Sequence, residues 1–248
     1  MNAIELHNVS IDYYLDNEDS YSIKNALLNF YAKAKKPKPK TFRALNNLSF
    51  NVANGEKVGI IGLNGSGKTT LLRTVSGIFQ PSSGKIKIHG VVSPLLDFHT
   101  GFEPNLTGFE NVKIRLMFLG LSKKEAEEKI PSIVEFSELG DFIYQPVRTY
   151  STGMSLRLAF AASTSIHPEI LVADEVIGTG DAQFTLKAKK RLESFLSLDC
   201  TMVLSSHSMD LVRNFCNRII WLRNGEIIAD GSTDDVIKEY EKSNVSSL

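Results

Sequence analysis

Residues 62–69 read GLNGSGKT, and this octapeptide lies between an apolar run of strand length and a helical pattern. The pattern G-x-x-x-x-G-K-[ST] is that of a phosphate-binding loop, in which glycines let successive backbone N–H groups turn toward phosphate oxygens. The positive N-terminal end of the following helix adds to this attraction. We expect Lys68 to reach the β- and γ-phosphates of a nucleotide and to act in catalysis there, and Thr69 to bind Mg²⁺ through its hydroxyl. The predicted nucleotide-binding residues of this segment are Asn64, Gly65, Ser66, Gly67, Lys68, Thr69 and Thr70.

A second signal lies further along the chain, where the apolar segment 170–173 is followed by Asp174 and Glu175. A buried parallel strand places its carboxyl end in the crevice where ligands bind. Asp174 is therefore a candidate Mg²⁺ ligand, and Glu175 is a candidate base that orients and deprotonates an attacking water. Taken alone, the pattern is equally that of a strand ending at an acidic turn. The upstream phosphate loop favours the catalytic interpretation.

Composition excludes several other classes of protein. The chain has 248 residues, enough to bury a core without the support of disulfides or a structural metal. Its two cysteines are too few for a disulfide framework or a cysteine-based zinc site. Lys plus Arg and Asp plus Glu each total 28, so the net charge is zero, which argues against a nucleic-acid partner. The apolar stretches fall far short of the roughly 18 residues that a membrane span needs. The N-terminus shows no secretion signal, and a reduced cytosolic setting fits.

The rest of the chain alternates strand-like and helix-like patterns. Ser122 and Glu125 form a capping box within the mostly helical region 107–162, and Asn224-Gly225 is the turn of a predicted hairpin. An insertion at about 15–40 contains an amphipathic helical pattern and then lysines interleaved with prolines, which indicates an exposed linker. Strands are predicted at 3–9, 42–52, 57–63, 85–90, 91–96, 169–173, 201–205, 219–222 and 226–229, and a last helix near Asp234.

The order of these motifs resembles that of ABC-transporter ATPases. After the phosphate loop come Tyr150-Ser151-Thr152-Gly153-Met154 before a helix, then Asp174-Glu175, then a strand that ends at His207. The resemblance covers essentially the whole chain. It implies an α/β fold with a P-loop (RecA-like) core and a mainly parallel sheet, an antiparallel β subdomain, and an α-helical subdomain inserted at about 100–162. It also implies that 1–248 is a single ABC ATPase domain.

The resemblance also implies roles for individual residues. In that family the S-x-G segment caps the γ-phosphate of ATP held by the partner subunit, so Ser151 and Gly153 are expected to complete the site of a second chain. His207 is expected to contact the γ-phosphate and the attacking water, and Asp181 to lie at the dimer interface. Without the family, S-x-G before a helix is most often a helix start, and a lone histidine is most often structural.

The aromatic side chain that stacks on adenine has three candidates. In the family this ring follows the first strand, which makes Tyr13 the first choice and Tyr14 the second. Phe42 is the third, because the insertion at about 15–40 obscures the count. Each of the three is equally consistent with ordinary packing.

A departure from the family pattern narrows the resemblance to one branch. ABC ATPases usually have a Gln after the strand at 91–96 that binds Mg²⁺ and senses the membrane subunit, but 94–104 contains none. Asp97 or His99 is a candidate replacement, with Asp97 taken as a further metal ligand. This departure, the G-F-x-P-x-L-T-G run ending at Gly108 and the D-E-V-x-x-x-G-D motif are similar to the branch that exports lipid-linked O-antigen, capsule or teichoic acid.

Membership of that branch implies cofactors and partners. These are ATP and Mg²⁺, a second copy of the chain in a homodimer, and a separate transmembrane permease that docks near 98–102 and 116–119. The lipid-linked polysaccharide is expected to meet the chain indirectly or through residues 20–40, which otherwise form a solvated loop. The chain is expected at the cytoplasmic face of the cytoplasmic membrane as a peripheral subunit, without a C-terminal carbohydrate-binding domain.

Three other functions compete with this interpretation. One is the ATPase of another exporter. A second is a soluble ABC ATPase that works without a membrane subunit in cluster assembly, DNA repair or translation. The third is an ATP-dependent scaffold that does not hydrolyse ATP, which Glu175 argues against.

Overall fold

The first ninety residues contribute three strands to an antiparallel sheet. In the computed structural model, which describes residues 1–15, 40–96, 102–174, 182–196, 200–206 and 208–245, β1 (Asn2–Leu15) lies between β2 (Lys40–Ala53) and β4 (Ser83–Ile88). β1 is longer than the predicted strand at 3–9 because β2 pairs with it from Asn2 opposite Ala53 to Leu15 opposite Lys40. Repeated register shifts along this ladder are typical of β-bulges, which add twist.

A second, mainly parallel sheet forms the core. It contains β3 (Lys57–Ile61), β5 (Val92–Leu95), β6 (Ile170–Asp174), β7 (Thr201–Ser205), β8 (Arg218–Arg223) and β9 (Glu226–Ser232) in the order β5-β6-β7-β3-β8-β9. Every neighbouring pair is parallel except β8 and β9, which form the predicted hairpin. β6 and β7 are almost wholly buried, as expected for parallel strands with both faces covered. The carboxyl ends of β3 and β6 therefore lie at one edge of the sheet.

The helices cover both faces of this sheet. They are α1 (Lys68–Val75), α2 (Gly108–Phe118), α3 (Lys123–Ser137), α4 (Thr152–Ser163), α5 (Ala182–Leu196), α6 (Met209–Phe215) and α7 (Thr233–Val245), with short 3₁₀ turns at Gly140–Tyr144 and Val147–Thr149. The capping box predicted at Ser122 and Glu125 is present at the start of α3. Among the described residues, the helices are too short and too polar to cross a bilayer.

Three apolar clusters hold the layers together. The first lies between the two sheets, where α1 contributes Leu71, Leu72 and Val75. The second lies on the opposite face of the parallel sheet and includes Phe160 of α4 and Phe184 of α5. The third is formed by α2, α3 and α4, so α4 packs into two clusters at once. Burial of these apolar side chains is the main source of stability.

The predicted fold class is confirmed. A mainly parallel core sheet, a separate antiparallel sheet and a group of helices between β5 and β6 are all present. The amphipathic pattern and the lysine–proline run of the insertion fall almost entirely in 16–39, outside the described residues.

Candidate active site

The phosphate loop follows β3 directly and ends at α1. Gly67, the N-cap residue of α1, has a φ of 106°, a conformation that L side chains rarely adopt. A Cβ at Gly67 would lie 2.8 Å from Leu45 Cδ2 and 2.9 Å from the Ala44 carbonyl oxygen of β2. The loop therefore needs glycine here both for its backbone conformation and for its close packing on the antiparallel sheet.

The side chain of Lys68 is hydrogen-bonded to the start of the phosphate loop. Its ammonium donates to the carbonyl oxygens of Gly62 at 2.7 Å and Leu63 at 3.1 Å, and the residue is only 8% exposed. The buried hydroxyl of Ser66 has no hydrogen-bond partner among the described residues. A buried hydroxyl is usually paired, so Ser66 Oγ is a candidate hydrogen-bond partner for a phosphate oxygen.

Thr69 and Asp174 meet across the edge of the sheet. The Thr69 hydroxyl donates to Asp174 Oδ2 at 2.7 Å, although the two residues are 105 positions apart in the sequence. Both were predicted Mg²⁺ ligands, and the structure brings them together. A hydroxyl and a carboxylate oxygen are the kind of ligands that Mg²⁺ prefers, together with water and nucleotide phosphates.

A cleft of about 460 Å³ lies over the loop. The lining includes six of the seven predicted loop residues, all except the buried Ser66, together with Asp174. Two of the aromatic candidates, Tyr13 and Phe42, also line the cleft, and they are opposite each other in the β1–β2 ladder. Tyr14 is 71% exposed and is not among the described residues that line the cleft.

The two remaining aromatic candidates differ in their surroundings. The Tyr13 hydroxyl lies 3.2 Å from Thr70 Oγ1, and its ring packs edge-on against Phe79 at 5.8 Å. Phe42 is 54% exposed. The contacts of Tyr13 fix the position of its ring in the wall of the cleft. The exposed ring of Phe42 has a free face on which an adenine base can stack. Both residues therefore stay candidates.

The sequence did not predict one contact that supports the phosphate loop, which comes from the β8–β9 turn. The turn of the β8–β9 hairpin donates a hydrogen bond from Gly225 N–H to the Ser66 carbonyl oxygen at 3.0 Å, and the Gly225 carbonyl oxygen accepts one from Asn46 N–H at 2.8 Å. The turn thus links the phosphate loop to β2. The Asn224-Gly225 pattern predicted the turn, but no local signal indicates which loop a turn will touch.

The S-x-G segment starts α4. Ser151 is the N-cap, and its hydroxyl accepts a hydrogen bond from Met154 N–H at 3.2 Å. A Cβ at Gly153 would meet nothing closer than Ser151 Oγ at 3.9 Å, so the space beside this glycine is open. Neither Ser151 nor Gly153 is among the described residues that line the cleft. Within one chain, this segment is a capped helix start that lies away from the phosphate loop.

Four predicted site residues lie outside the described residues: Asp97, Glu175, Asp181 and His207. Their neighbours are placed. Asp174 ends β6 directly before Glu175, and Ser205 and Ser206 lie directly before His207 at the carboxyl end of β7, the strand between β6 and β3. The assigned roles of these four residues stay predictions.

A phosphate loop between β3 and α1, with a second parallel strand of the same sheet ending in a carboxylate at the same edge, defines a P-loop nucleotide-binding protein of the α/β class. The sequence profile of the ABC transporter family matches residues 45–178, more than half of the chain. The chain therefore belongs to the ABC transporter family, as one of its ATPases.

Individual relatives are similar over nearly the whole chain. The O-antigen export system ATP-binding protein RfbE of Yersinia enterocolitica is 43% identical over 231 residues, 92% of this chain and 97% of that protein. The teichoic acids export ATP-binding protein TagH of Staphylococcus epidermidis is 38% identical, with 96% of this chain and 88% of that protein covered. Among solved structures, the ATP-binding cassette MJ0796, in a dimeric post-hydrolysis state with ADP and Pi, superposes with a TM-score of 0.72 at 24% identity, covering 93% of this chain and 98% of that one.

Proposed function

We propose that this chain is the ATP-hydrolysing subunit of an ABC transporter that exports a lipid-linked polysaccharide, such as O-antigen, capsule or teichoic acid. The observation that carries the proposal is that relatives similar over nearly the whole chain are ATP-binding proteins of export systems for two such polymers. The chain acts as a single ATPase domain at the cytoplasmic face of the cytoplasmic membrane, and a separate permease provides the path across it.

One chain provides half of each reaction site. ATP occupies the cleft over the phosphate loop, where the Lys68 ammonium exchanges its carbonyl partners for β- and γ-phosphate oxygens. Thr69 and Asp174 supply oxygen ligands for Mg²⁺, which neutralises phosphate charge when bound, and Asp97 is a further candidate ligand. Tyr13 or Phe42 stacks on the adenine. Glu175 accepts a proton from the water that attacks the γ-phosphorus, and His207 contacts that water and the γ-phosphate; the products are ADP and phosphate.

A second copy of the chain completes the site. Ser151 and Gly153 lie away from the cleft of their own chain, so their predicted contact with a γ-phosphate requires a partner's nucleotide. The Ser151 hydroxyl accepts from Met154 N–H, which leaves its own hydrogen available to a phosphate oxygen. The N-terminal end of α4 adds a positive field, and Asp181 lies at the dimer interface. ATP binds the closed dimer better than the open one, and this difference drives the cycle.

The permease docks in a groove of about 610 Å³ between α1, β5 and α2. Phe118 on its rim is 87% exposed. Arg115 lies in the groove with its guanidinium 5.9 Å from the centre of the Phe102 ring, and burial lowers the pKa of Arg115. A large exposed apolar side chain beside a poorly solvated cation favours a protein interface. Of the region predicted from sequence at 116–119, Leu116 is buried and does not contribute to the surface.

The cargo approaches the chain near the insertion at about 15–40. Lysines at five positions between 33 and 40 give this segment a local positive charge in a chain of zero net charge. Such charges attract anionic lipid headgroups, at about 1 kcal/mol for each basic residue near the surface, and the pyrophosphate of a lipid-linked glycan. The lysines therefore favour contact with the membrane surface or directly with the cargo.

The first test is a co-purification. We expect a tagged Glu175→Gln chain, which binds ATP but does not hydrolyse it, to bring down a multi-span membrane protein and lipid-linked glycan from its native host in mild detergent with ATP and Mg²⁺. The matched control is Lys68→Ala, whose weakened ATP binding leaves the dimer open. Recovery of a soluble partner, or of no partner, from the Glu175→Gln chain would remove the export proposal and leave the ATPase assignment.

A further inference from the structure

The run G-F-x-P-x-L-T-G at 101–108 marks one branch of the family in the sequence, but no step of the proposed hydrolysis uses it. Residues 102–108 of this run lead from β5 into α2, and three of them, Glu103, Pro104 and Asn105, are exposed. A stretch this exposed gains little from apolar burial. Polar contacts must therefore fix its conformation.

The side chain of Asn111, one turn into α2, makes these polar contacts. It is only 3% exposed. Its Oδ1 accepts a hydrogen bond from Glu103 N–H at 2.7 Å, and its Nδ2 donates to the carbonyl oxygens of Glu103 and Thr107, both at 3.0 Å. A longer contact of 3.3 Å joins Nδ2 to the Leu106 carbonyl oxygen. One buried amide thus holds both ends of the stretch 103–107, with its donors and its acceptor all in use.

Three backbone hydrogen bonds join the run to the segment 145–148, which leads to Ser151. They link Val147 N–H to the Leu106 carbonyl oxygen at 2.9 Å, Arg148 N–H to that of Pro104 at 2.9 Å, and Gly108 N–H to that of Gln145 at 3.2 Å. Within the described part of the chain, every hydrogen bond from 145–148 to a residue outside 142–150 goes to this run. The run therefore holds the segment that precedes Ser151.

Gly108, the last residue of the run, lies against the residue before Ser151. A Cβ at Gly108 would collide with the hydroxyl oxygen of Tyr150. That hydroxyl donates to the Phe142 carbonyl oxygen at 2.6 Å. The run thus meets Tyr150 in van der Waals contact, and a larger residue at position 108 would push the two apart.

The amino end of α4 depends on this segment for its position. Ser151 and Thr152 are exposed, and the first buried residue of α4 is Leu156, with the partly buried Met154 before it. Apolar packing therefore holds the body of α4, whereas Ser151 lies outside the packed part of the helix. Its position follows that of the preceding residues, which the run holds.

We propose that Asn111 is a positioning residue for the composite ATP site. It fixes the run, the run holds 145–148, and this segment sets where Ser151 meets the nucleotide of the partner chain. The inference rests on the proposed two-chain site. Asn111 is not among the described residues that line the cleft. Loss of its amide should therefore damage the site at the partner's phosphate loop and spare the site at its own.

The first measurement compares turnover with binding in the full-length Asn111→Ala chain. We expect kcat for ATP hydrolysis to fall at least about fivefold, because a displaced Ser151 no longer meets the γ-phosphate, with unchanged affinity of the single chain for a fluorescent ATP analogue. Gly108→Ala keeps the amide but moves the run away from Tyr150, and it should give the same result.

The matched control for stability is Ile133→Ala. Ile133 is buried in the same helical cluster, on α3, and does not belong to the run or to 145–148. Its truncation leaves a cavity, so the midpoint of thermal unfolding should fall at least as far as in Asn111→Ala. Turnover measured well below that midpoint should nevertheless stay close to native.

Mixing with an excess of a second, inactive chain shows which site carries the defect. With excess Lys68→Ala, the loop of each Asn111→Ala chain faces an intact S-x-G segment, so turnover per Asn111→Ala chain should rise to about that of one native site. Gly153→Asp places a negative charge in the S-x-G segment. With excess Gly153→Asp, the only loop that faces an unsubstituted segment faces the displaced Ser151, so turnover should stay low.

The other outcomes overturn the inference. Undiminished turnover in both Asn111→Ala and Gly108→Ala would do so. A rise with Gly153→Asp and none with Lys68→Ala would place the defect at the variant's own loop, and a rise with neither would indicate general damage. The mixture of Lys68→Ala with Gly153→Asp tests the two-chain site itself. If that mixture recovers activity, a failure concerns Asn111 alone; if it does not, both proposals fall.

Discussion

Thr69 and Asp174 show how two distant residues make one site. The first lies at the start of α1 and the second at the end of β6, and a 2.7 Å hydrogen bond joins their side chains. In the proposed function both oxygens are ligands of Mg²⁺, for which the hydroxyl hydrogen between them would have to turn away. Magnesium affinity should therefore depend on both side chains.

We expect Thr69→Val and Asp174→Asn to weaken the magnesium-dependent part of nucleotide affinity at least about tenfold, since each variant loses an oxygen ligand. Titration of a fluorescent ATP analogue with Mg²⁺ and then with EDTA measures this part directly. Thr74→Val is the matched control, because among the described residues the Thr74 hydroxyl bonds only to the Thr70 carbonyl oxygen within α1. Equal enhancement by Mg²⁺ in all four proteins would show that these oxygens do not bind the metal.

Cys216 supplies a second prediction at this scale, on stability. Burial raises the pKa of its thiol to about 12 from 9.0. A thiol with a raised pKa binds its proton more tightly in the folded chain. Its contribution to stability is therefore complete below pH 9 and is lost as the pH rises toward 12.

We expect the free energy of unfolding of the native chain to fall between pH 8 and pH 10.5 by roughly 2 kcal/mol more than that of Cys216→Ala. Urea denaturation at several pH values measures both proteins, and lysines and tyrosines contribute equally to each. At pH 7, the difference in the free energy of unfolding between the two proteins gives the packing energy that Cys216→Ala removes. Parallel pH profiles would mean that the Cys216 thiol titrates in the folded chain as it does in the unfolded one.

At the scale of elements, local chemistry predicts element ends well. Ser122 and Glu125 predicted the capping box that the structure shows, and the same spacing at Thr107 and Glu110 caps α2. The turn at Asn224-Gly225 was also predicted, because only a few residues tolerate positive φ. Capping boxes and turns depend on only three or four consecutive residues, so they can be recognised in the sequence alone.

Contacts between elements were much less predictable. The phosphate loop and the acidic strand were predicted to converge because parallel strands end at one edge of a sheet. The contact of Gly225 with Ser66 depends on how separate elements pack, as does the ion pair between Glu138, after α3, and Lys187 of α5. No periodicity in the sequence encodes such packing. The choice between Tyr13 and Phe42 stays open for a related reason: the β1–β2 ladder places both residues at the cleft.

The hairpin turn yields the prediction at this scale. Gly225 has a φ of 77°, and a Cβ there would lie 3.2 Å from Leu45 Cα with the Ala44 carbonyl closer still. Gly225→Ala should therefore move the turn that supports Ser66, lower the free energy of unfolding by about 1–3 kcal/mol and weaken ATP affinity severalfold. Urea denaturation and analogue titration measure the two effects.

A glycine with nearly the same backbone serves as the control. Gly77 has a φ of 74°, and a Cβ there meets nothing within 4 Å. Gly77→Ala introduces comparable backbone strain without the collision, so it should lower stability and leave ATP affinity unchanged. Equal losses of affinity in both variants would mean that strain alone, and not the support of the phosphate loop, explains the effect.

At the scale of the whole molecule, the chain has a phosphate loop and an S-x-G segment that do not meet within one copy. α4 packs into the cluster on the far side of the parallel sheet and into the helical cluster, while the phosphate loop packs against the antiparallel sheet. In the proposed dimer, a two-fold axis would bring each loop to the other chain's segment, since such an interface is self-complementary. Each dimer would then contain two equivalent composite sites.

Mixed dimers test this arrangement. Lys68→Ala removes the cation of the phosphate loop, and Gly153→Asp places a negative charge at the start of α4, where space is open and an acidic residue suits the helix. Each variant alone has two defective sites, so we expect each to lack ATPase activity. In a mixed dimer, the loop of the Gly153→Asp chain faces the intact segment of the Lys68→Ala chain, and one site is complete. An equal mixture should therefore recover up to about a quarter of native ATPase activity, because half of the dimers are mixed and each has one of two sites.

The control is an equal mixture of Lys68→Ala and Asp174→Asn, measured in the same assay. Both of these changes damage the half of the site that lies within one chain, so a mixed dimer of this kind still has no complete site and should stay inactive. Recovery in the first mixture alone identifies a site shared between chains. Recovery in both mixtures, or in neither, would contradict the shared site, and the S-x-G segment would then be a capped helix start and nothing more.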